Sequence, residues 1–330
     1  MTSIIKKFFK TALSRTDYRL VRKTTLDGYE GCVKALIDLY HVKNSNHITN
    51  EQHPSLECII FSKDRALQLH ALLSSYFEHV QDQVPIHILY RSSSAPHRKA
   101  YDEVFVLFNS GIQTVRRETD FREDLLGIME SMKSSKVMFL VDDILFINPI
   151  ELGGFARLPS QIFVPSLRLG NQISFSYVYQ KPLPLPIFIP DILDDNNKLC
   201  WIWEQGEMDW AFPLSLDGHI FSRQEIIIMI KNFGFSSPNS LERIMQQFEG
   251  IYKKRYGVCP LQSVIVNIPC NRVKADYDYH HGNIHQNFLL KKWEEGLQMN
   301  YEKLYHWNNQ GVHEEIPIEF IPRKLSPVGH

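Results

Sequence analysis

Lys136-Val137-Met138-Phe139-Leu140-Val141-Asp142-Asp143-Ile144-Leu145-Phe146-Ile147 is the stretch on which the fold of this chain turns. An apolar run enters two adjacent carboxylates, and a second apolar run leaves them. The first run is short and carries β-branched residues, which predicts a buried strand. Two neighbouring carboxylates at a strand end repel each other and are costly to desolvate unless a cation lies beside them. A divalent metal carrying phosphate oxygens is one such cation, and hard oxygen ligands suit Mg2+ or Mn2+. The plainer alternative is an acidic pair that only caps the turn after a strand.

Upstream, Leu56 to Phe61 reads as a strand, Ser62-Lys63-Asp64-Arg65 as a polar turn, and Ala66 to Val80 as a helix with Leu69, Leu72, Leu73, Tyr76 and Phe77 on one side. A strand over Ile86 to Tyr90 ends in Arg91, and a helix from His97 to Phe108 follows. A strand at Gln113 to Arg116 and a helix over Phe121 to Met132 deliver the chain into the Asp-Asp strand. This alternation predicts a doubly wound α/β fold with a mostly parallel central sheet flanked by helices. Ligands of such sheets bind beyond the carboxyl ends of the strands. Collected there are Ser62 to Arg65, Arg91-Ser92, Arg116-Arg117 and Asp142-Asp143. Neither a dinucleotide-binding glycine fingerprint nor a phosphate-cradling P-loop occurs in the sequence. Each basic cluster alone also reads as a solvated turn; their common edge is what points to an anionic ligand.

The second half is less regular. Ile162 to Pro165 and Ile173 to Tyr179 read as strands, and the stretch 182–190 as a Pro-rich loop. Trp201, Trp203 and Trp210 suit either stacking on sugar rings or plain packing. Leu214 to Phe221 reads as a strand broken by Gly218. Ser222 caps the next helix with Glu225 at the capping-box position, and a further helix is expected from Leu241, with Glu242 in its first turn.

The 330 residues suffice for one large domain or two modest ones. We expect a basic extension and linker at 1–50, a catalytic domain at 51–300 and a surface tail at 301–330. The catalytic domain divides into a nucleotide-binding half at 51–150 and a smaller acceptor-side half at 151–300. A net charge of -1 offers no electrostatic case for a nucleic-acid partner. Five cysteines without metal-type spacing predict free thiols in a reducing compartment. No apolar run reaches the roughly 18 residues of a membrane span, and Lys6, Lys7 and Lys10 interrupt any signal-peptide core. The expected location is cytoplasmic. Residues 1–23 set Ile4, Ile5, Phe8, Phe9, Ala12 and Leu13 on one helical face among seven Lys or Arg. Such a segment lies peripherally on an anionic inner membrane face or packs on its own domain.

Taken together, the strand ending in Ser62-Lys63-Asp64-Arg65, the sequence Val141-Asp142-Asp143, the block Asp217-Gly218-His219-Ile220-Phe221 and the helix start Asn239-Ser240-Leu241-Glu242 resemble a GT-A fold, nucleotide-sugar-dependent glycosyltransferase. The likeness covers roughly 56–300 and is nearest to family 2-like or galactosyltransferase-like members. That fold carries a DxD-type motif for the metal and the donor diphosphate; with Val141 in its first place, an xDD form remains here. The resemblance implies Asp142 toward the ribose and Asp143 on Mn2+ or Mg2+, with a late histidine as third ligand. His281 is the favoured histidine, over His280 and His285. It implies Ser62, Lys63, Asp64, Arg65, Arg91 and Arg122 around the donor, since forked guanidinium donors suit oxyanions.

The implied reaction moves a hexosyl group from a nucleoside diphosphate sugar to a hydroxyl of a polysaccharide or lipid-linked glycan. A sugar hydroxyl must lose its proton as it attacks, which requires a general base. Glu242 is that base by resemblance, with inversion at the anomeric carbon, and Asp209 and Asp217 stand in reserve. A carboxylate that only complements a helix dipole is the structural alternative for Glu242. Two rival classes remain open: a nucleotidyltransferase on a similar sheet, and a binding module whose metal site has decayed, for which Val141 speaks.

Overall fold

The computed structural model describes residues 23–45, 55–193, 195–270 and 284–324. Its first half follows the predicted alternation. Helix α1 (Lys23–Ser45) precedes strand β1 (Leu56–Lys63), helix α2 (Ala66–His79), strand β2 (Ile86–Arg91), helix α3 (Ala95–Leu107), strand β3 (Ile112–Arg117), helix α4 (Phe121–Ser131) and strand β4 (Lys136–Val141). Asp142-Asp143 then turns the chain into β5 (Ile144–Phe146). Within the stretch 1–50 expected as basic extension and linker, the chain is helical from Lys23 as far as Ser45.

The later elements used below are β6 (Phe163–Pro165), β7 (Lys198–Ile202), β8 (Ile220–Ser222), α5 (Arg223–Ile230), α6 (Pro238–Met245), β9 (Tyr256–Pro260), β10 (Ile265–Asn267) and α7 (Gln286–Glu294). The central sheet has the order β8-β4-β1-β2-β3. Strands β1 to β4 are parallel, and β8 runs antiparallel along β4. The chain winds outward from β1 to β3 and then returns to lay β4 on the other side of β1. The switch point therefore lies between β1 and β4, where a ligand crevice is expected. A second sheet, β6-β9-β7, and the pair β5/β10 complete the scaffold. The two halves interlock, because β8 extends the first sheet and β10 pairs with the strand that leaves the acidic turn.

Successive side chains of a strand point to opposite faces. Cys58 and Ile60 of β1, with Met138 and Leu140 of β4, pack under α2 and α3 in one core. Ile59 and Phe61, with Val137 and Phe139, pack under α4 and α5 in the other. Strands covered on both faces need no polar alternation, which is why β4 reads as an unbroken apolar run. Trp201, Trp203 and Trp210 are fully buried, with ring centroids 4.7 and 4.8 Å apart, so they pack the second core and present no face to a sugar. Tyr301, Leu304 and Val312, within the stretch expected as a surface tail, are buried as well.

Local capping differs from the sequence reading at two helices. Ser222 accepts from the Glu225 backbone N–H as expected, but the Glu225 carboxylate does not close a capping box. It takes Arg255 at 2.8 and 2.9 Å and the Tyr252 hydroxyl at 2.9 Å in a buried network. Helix α6 begins at Pro238 rather than Leu241, because Ser237 and Ser240 form a reciprocal capping box and Pro suits the first helical position. Glu242 consequently stands in the second turn of α6.

Candidate functional site

At the switch point, the carboxyl ends of β1 and β4 lie side by side, with Phe61 level with Val141. The Ser62 hydroxyl donates to Asp142 Oδ2 at 2.7 Å, and the Lys63 backbone N–H reaches the same oxygen at 3.1 Å. Asp142 is 4 % exposed. Tyr101, on α3, lies 2.6 Å from the Ser62 oxygen and accepts from the Arg65 backbone N–H at 3.0 Å. Because Ser62 spends its proton on Asp142, Tyr101 must donate to Ser62, and a directed chain runs from Arg65 N–H through two hydroxyls to the carboxylate. Asp64 adopts a left-handed conformation (φ 56°) and accepts from the Ser93 backbone N–H at 2.7 Å. That turn carries Arg65 back over the acidic pair.

The Arg65 guanidinium supplies the cation that the sequence demands. One nitrogen donates to Asp142 Oδ1 at 2.8 Å and to Asp143 Oδ2 at 3.3 Å. Burial works against its charge, and Asp142 and Asp143 overcome that effect, so Arg65 is held protonated more firmly than a free guanidinium. One guanidinium does not satisfy two acids. Burial, with Asp142 and Asp217 adding to it against Arg65, pushes the Asp143 carboxyl up to about 7.

A second cluster faces the first. The peptide at Gly218, in a left-handed conformation (φ 73°), donates to Phe139 O of β4 at 2.9 Å and accepts from Leu167 N–H at 3.0 Å. The positive φ favours glycine at this position, and a Cβ there would also press on the tip of the Ile265 side chain at 2.4 Å. These bonds bring Asp217 to the β4 end and place Arg168 beside it. Arg168 donates to Asp217 Oδ2 at 3.3 Å and to Asp209 Oδ1 at 3.5 Å, while Ser176 donates to Asp209 Oδ2 at 2.8 Å. His313 Nε2 lies 3.6 Å from Asp217 Oδ2. Burial pushes the His313 imidazole below its ordinary value, with Asp217 opposing, and a neutral ring results at neutral pH. Glu242 projects from α6 into the same cluster and accepts from the Leu216 backbone N–H at 3.1 Å. Burial, then the charge of Asp217, pushes its carboxyl up to about 7.

Asp217 thus acts electrostatically on Asp143 at the β4 end and on Glu242 from α6. The structure brings Ser62, the Lys63 backbone, Arg65, Asp142, Asp143, Asp209, Asp217 and Glu242 into one region. It does not bring all the expected donor residues there. Arg91 is more than half exposed and pairs with Glu118 at 3.1 Å. Arg122 bonds the Phe233 carbonyl at 2.8 Å and the Lys231 carbonyl, tying α4 to the turn after α5. His281 lies outside the described residues.

The sequence reading missed three site residues. Arg168 left one signal, a lone charge in Ser166-Leu167-Arg168-Leu169-Gly170. Tyr101 and His313 left none, since each reaches the site from a distant part of the chain.

Five carboxylates in this region (Asp142, Asp143, Asp209, Asp217, Glu242) face the two guanidiniums of Arg65 and Arg168. Among the described residues, no three His, Cys, Asp or Glu side chains form a metal cage. The donor set still fits a hard divalent cation of the kind that takes one or two protein carboxylates and leaves its other positions to phosphate oxygens and water. Asp143, short of positive charge, is the carboxylate that suits it.

No protein-family model matches the chain. In sequence, 258 residues are 24% identical to the bifunctional glycosyltransferase pgtA of Dictyostelium discoideum, a match spanning 68% of this chain and 33% of that protein. The likeness is to a glycosyltransferase. The chain corresponds to about a third of that relative's length. Solved structures also align, among them the following two. The mannosyltransferase PcManGT of Pyrobaculum calidifontis, in complex with GDP-Man and Mn2+, is 12% identical with a TM-score of 0.41, over 76% of this chain and 68% of that one. TarS 1–349 of S. aureus is 9% identical with a TM-score of 0.41, over 69% and 60%. At these scores the overlap is loose, and the glycosyltransferase likeness rests on the sequence match and on the parallel sheet with its acidic turn at the switch point. No helix among the described residues is long and apolar enough to cross a membrane.

Proposed function

We propose that this chain transfers a hexosyl group from a nucleoside diphosphate sugar to a hydroxyl of a glycan or lipid-linked glycan at the cytoplasmic membrane face. The observation that carries this reading is the position of Asp217: the Gly218 N–H bond to Phe139 O holds it at the end of β4, the strand that runs into Asp142-Asp143, and the neighbouring Leu216 N–H bonds Glu242. A diphosphate-side acid and an acceptor-side base therefore share one region.

Asp142, fixed by Ser62, Lys63 N–H and Arg65, presents an oriented carboxylate to the donor ribose. Arg65 lies at the same point with forked donors suited to a phosphate. Asp143, joined by His281 from the sequence resemblance, would hold Mn2+ or Mg2+, whose charge offsets that of the departing diphosphate. Glu242 accepts the proton of the acceptor hydroxyl. With its proton affinity near neutrality, it is both ionised and basic enough at the operating pH, the balance general-base catalysis favours. A base on the face opposite the leaving group gives inversion. Asp209 and Asp217, both held by Arg168, orient the acceptor side.

A panel of nucleoside diphosphate sugars, scored for thermal stabilisation with and without Mn2+, tests the donor class. A true donor raises the melting temperature by mass action, and does so more strongly with the metal. A panel with no stabilising member would remove the proposal. Pyrophosphate release from a nucleoside triphosphate and a sugar 1-phosphate would replace it with nucleotidyl transfer.

A further inference from the structure

Arg65 holds the two carboxylates of the turn after β4 unequally. Its Nη1 donates to Asp142 Oδ1 at 2.8 Å and to Asp143 Oδ2 at 3.3 Å. Asp142 has further support on its other oxygen, from the Ser62 hydroxyl at 2.7 Å and the Lys63 backbone N–H at 3.1 Å. It therefore stays fixed if the guanidinium turns. Asp143 has the longer contact to Arg65 and the more exposed side chain, 17% against 4% for Asp142. Its backbone carbonyl accepts from the Ile268 N–H at 2.8 Å, so the carboxylate can change partners while the backbone stays in place. Arg65 is anchored in the same way, by its backbone N–H on the Tyr101 hydroxyl at 3.0 Å. Its long side chain is the part that can turn.

A charge count decides what this arrangement accepts. Asp142, Asp143 and Arg65 together carry one negative charge. A divalent cation alone on Asp143 would make the count one positive, with the cation beside a guanidinium. The diphosphate of a nucleotide sugar, alone, brings two negative charges and would make the count three negative. Cation and diphosphate together leave it at one negative, where it began. Uncompensated charge away from water is costly, so each half of the ligand is opposed and the pair is not. In the exchange Arg65 keeps its shorter contact to Asp142 and gives up the longer one to Asp143. The donor set free turns to a phosphate oxygen, which a guanidinium fork suits.

We propose that the site takes a divalent cation and a diphosphate as one complex, and that Arg65 is the residue that opposes the cation alone. This inference rests on the transferase reading above, in which Asp143 is the metal ligand.

The test is equilibrium binding of Mn2+ to the full chain, read from the electron-spin-resonance signal of the free ion, with UDP, GDP, ADP, dTDP or no nucleotide and with no acceptor. In the wild type, the nucleotide that binds tightens Mn2+ roughly tenfold or more, and Mn2+ tightens that nucleotide by the same factor, as linkage requires. Arg65→Gln binds Mn2+ alone on the order of tenfold more tightly than wild type. Arg65→Lys, which keeps the charge, does not. A cooperative thermal melt shows that each variant is folded, and the wild-type linkage decides the matter even where one is not. Wild type that binds Mn2+ as tightly alone as with every nucleotide overturns this inference and leaves Asp143 as the metal ligand. So does Arg65→Gln with Mn2+ affinity equal to wild type, or Arg65→Lys that matches Arg65→Gln. Mn2+ that fails to bind under every condition, or that binds Asp143→Asn as it binds wild type, overturns the metal reading of Asp143 and this inference with it.

Discussion

Arg168 spans two carboxylates, Asp217 at 3.3 Å and Asp209 at 3.5 Å, and is itself 4 % exposed. Replacing it by methionine leaves both acids in the interior with their counter-charge gone. Breaking a buried pair from one side costs about 3–5 kcal/mol. Arg168→Met is therefore expected to lower the urea midpoint strongly at pH 8. A midpoint equal to wild type at pH 8 would show that the pair is not formed.

Asp143 and Glu242 give a pH dependence of opposite sign to the usual carboxylate. Each is pushed up to about 7 from an ordinary 3.8 or 4.5, so the folded state favours the neutral form. Between those limits the native state binds more protons than the unfolded chain, and stability falls as pH rises; above about 7 the whole penalty is present. Asp143→Asn and Glu242→Gln should each stabilise the metal-free protein at pH 8, on the order of 1 kcal/mol. Neither should stabilise it below pH 4. Melting curves at the two pH values decide this, and equal effects at both would contradict it.

The hydroxyl chain at the donor side makes a separate prediction. Tyr101→Phe removes the donor to Ser62 and the acceptor of Arg65 N–H, at a cost of about 1–3 kcal/mol for the group left unpaired. Because this chain orients Asp142, the variant should bind the nucleotide more weakly while the pH at which turnover half-rises stays put. A shifted pH midpoint would assign Tyr101 to proton transfer instead.

Glu225 serves as a control for structure alone. It holds Arg255 and Tyr252 in a buried network and is absent from the acidic region of the site. Glu225→Ala should destabilise by about 3–5 kcal/mol. At temperatures where it remains folded, its donor affinity should match wild type. Weakened donor binding by folded Glu225→Ala would link the two regions.

These relationships divide by how far they reach along the chain. The alternation from β1 to β4 was legible because strand and helix periods are local, and Asp142-Asp143 because a charged pair interrupts an apolar run. Arg65 was legible through its place in the turn after β1. The stretch Leu214 to Phe221 read as one strand, yet only Ile220–Ser222 is a strand. The left-handed Gly218 and the bond from Leu216 to Glu242 turn the preceding residues toward the site. Glu242 was recognisable only by resemblance, since a carboxylate near a helix start has an ordinary capping role. Arg168 and His313 lie 49 and 96 residues from Asp217 in sequence and meet it only because the sheets fold together. No local pattern encodes such a meeting.

The most direct measurement is the rate of nucleoside diphosphate release from the stabilising donor, in the presence of acceptor and Mn2+, for wild type, Asp143→Asn and Glu242→Gln. The expected result is turnover by the wild type that rises with pH up to about 7. Glu242→Gln should lose about 10²- to 10⁴-fold in that rate while keeping donor affinity, and Asp143→Asn should lose both rate and the metal-dependent part of affinity. Undiminished turnover in both variants would contradict the account.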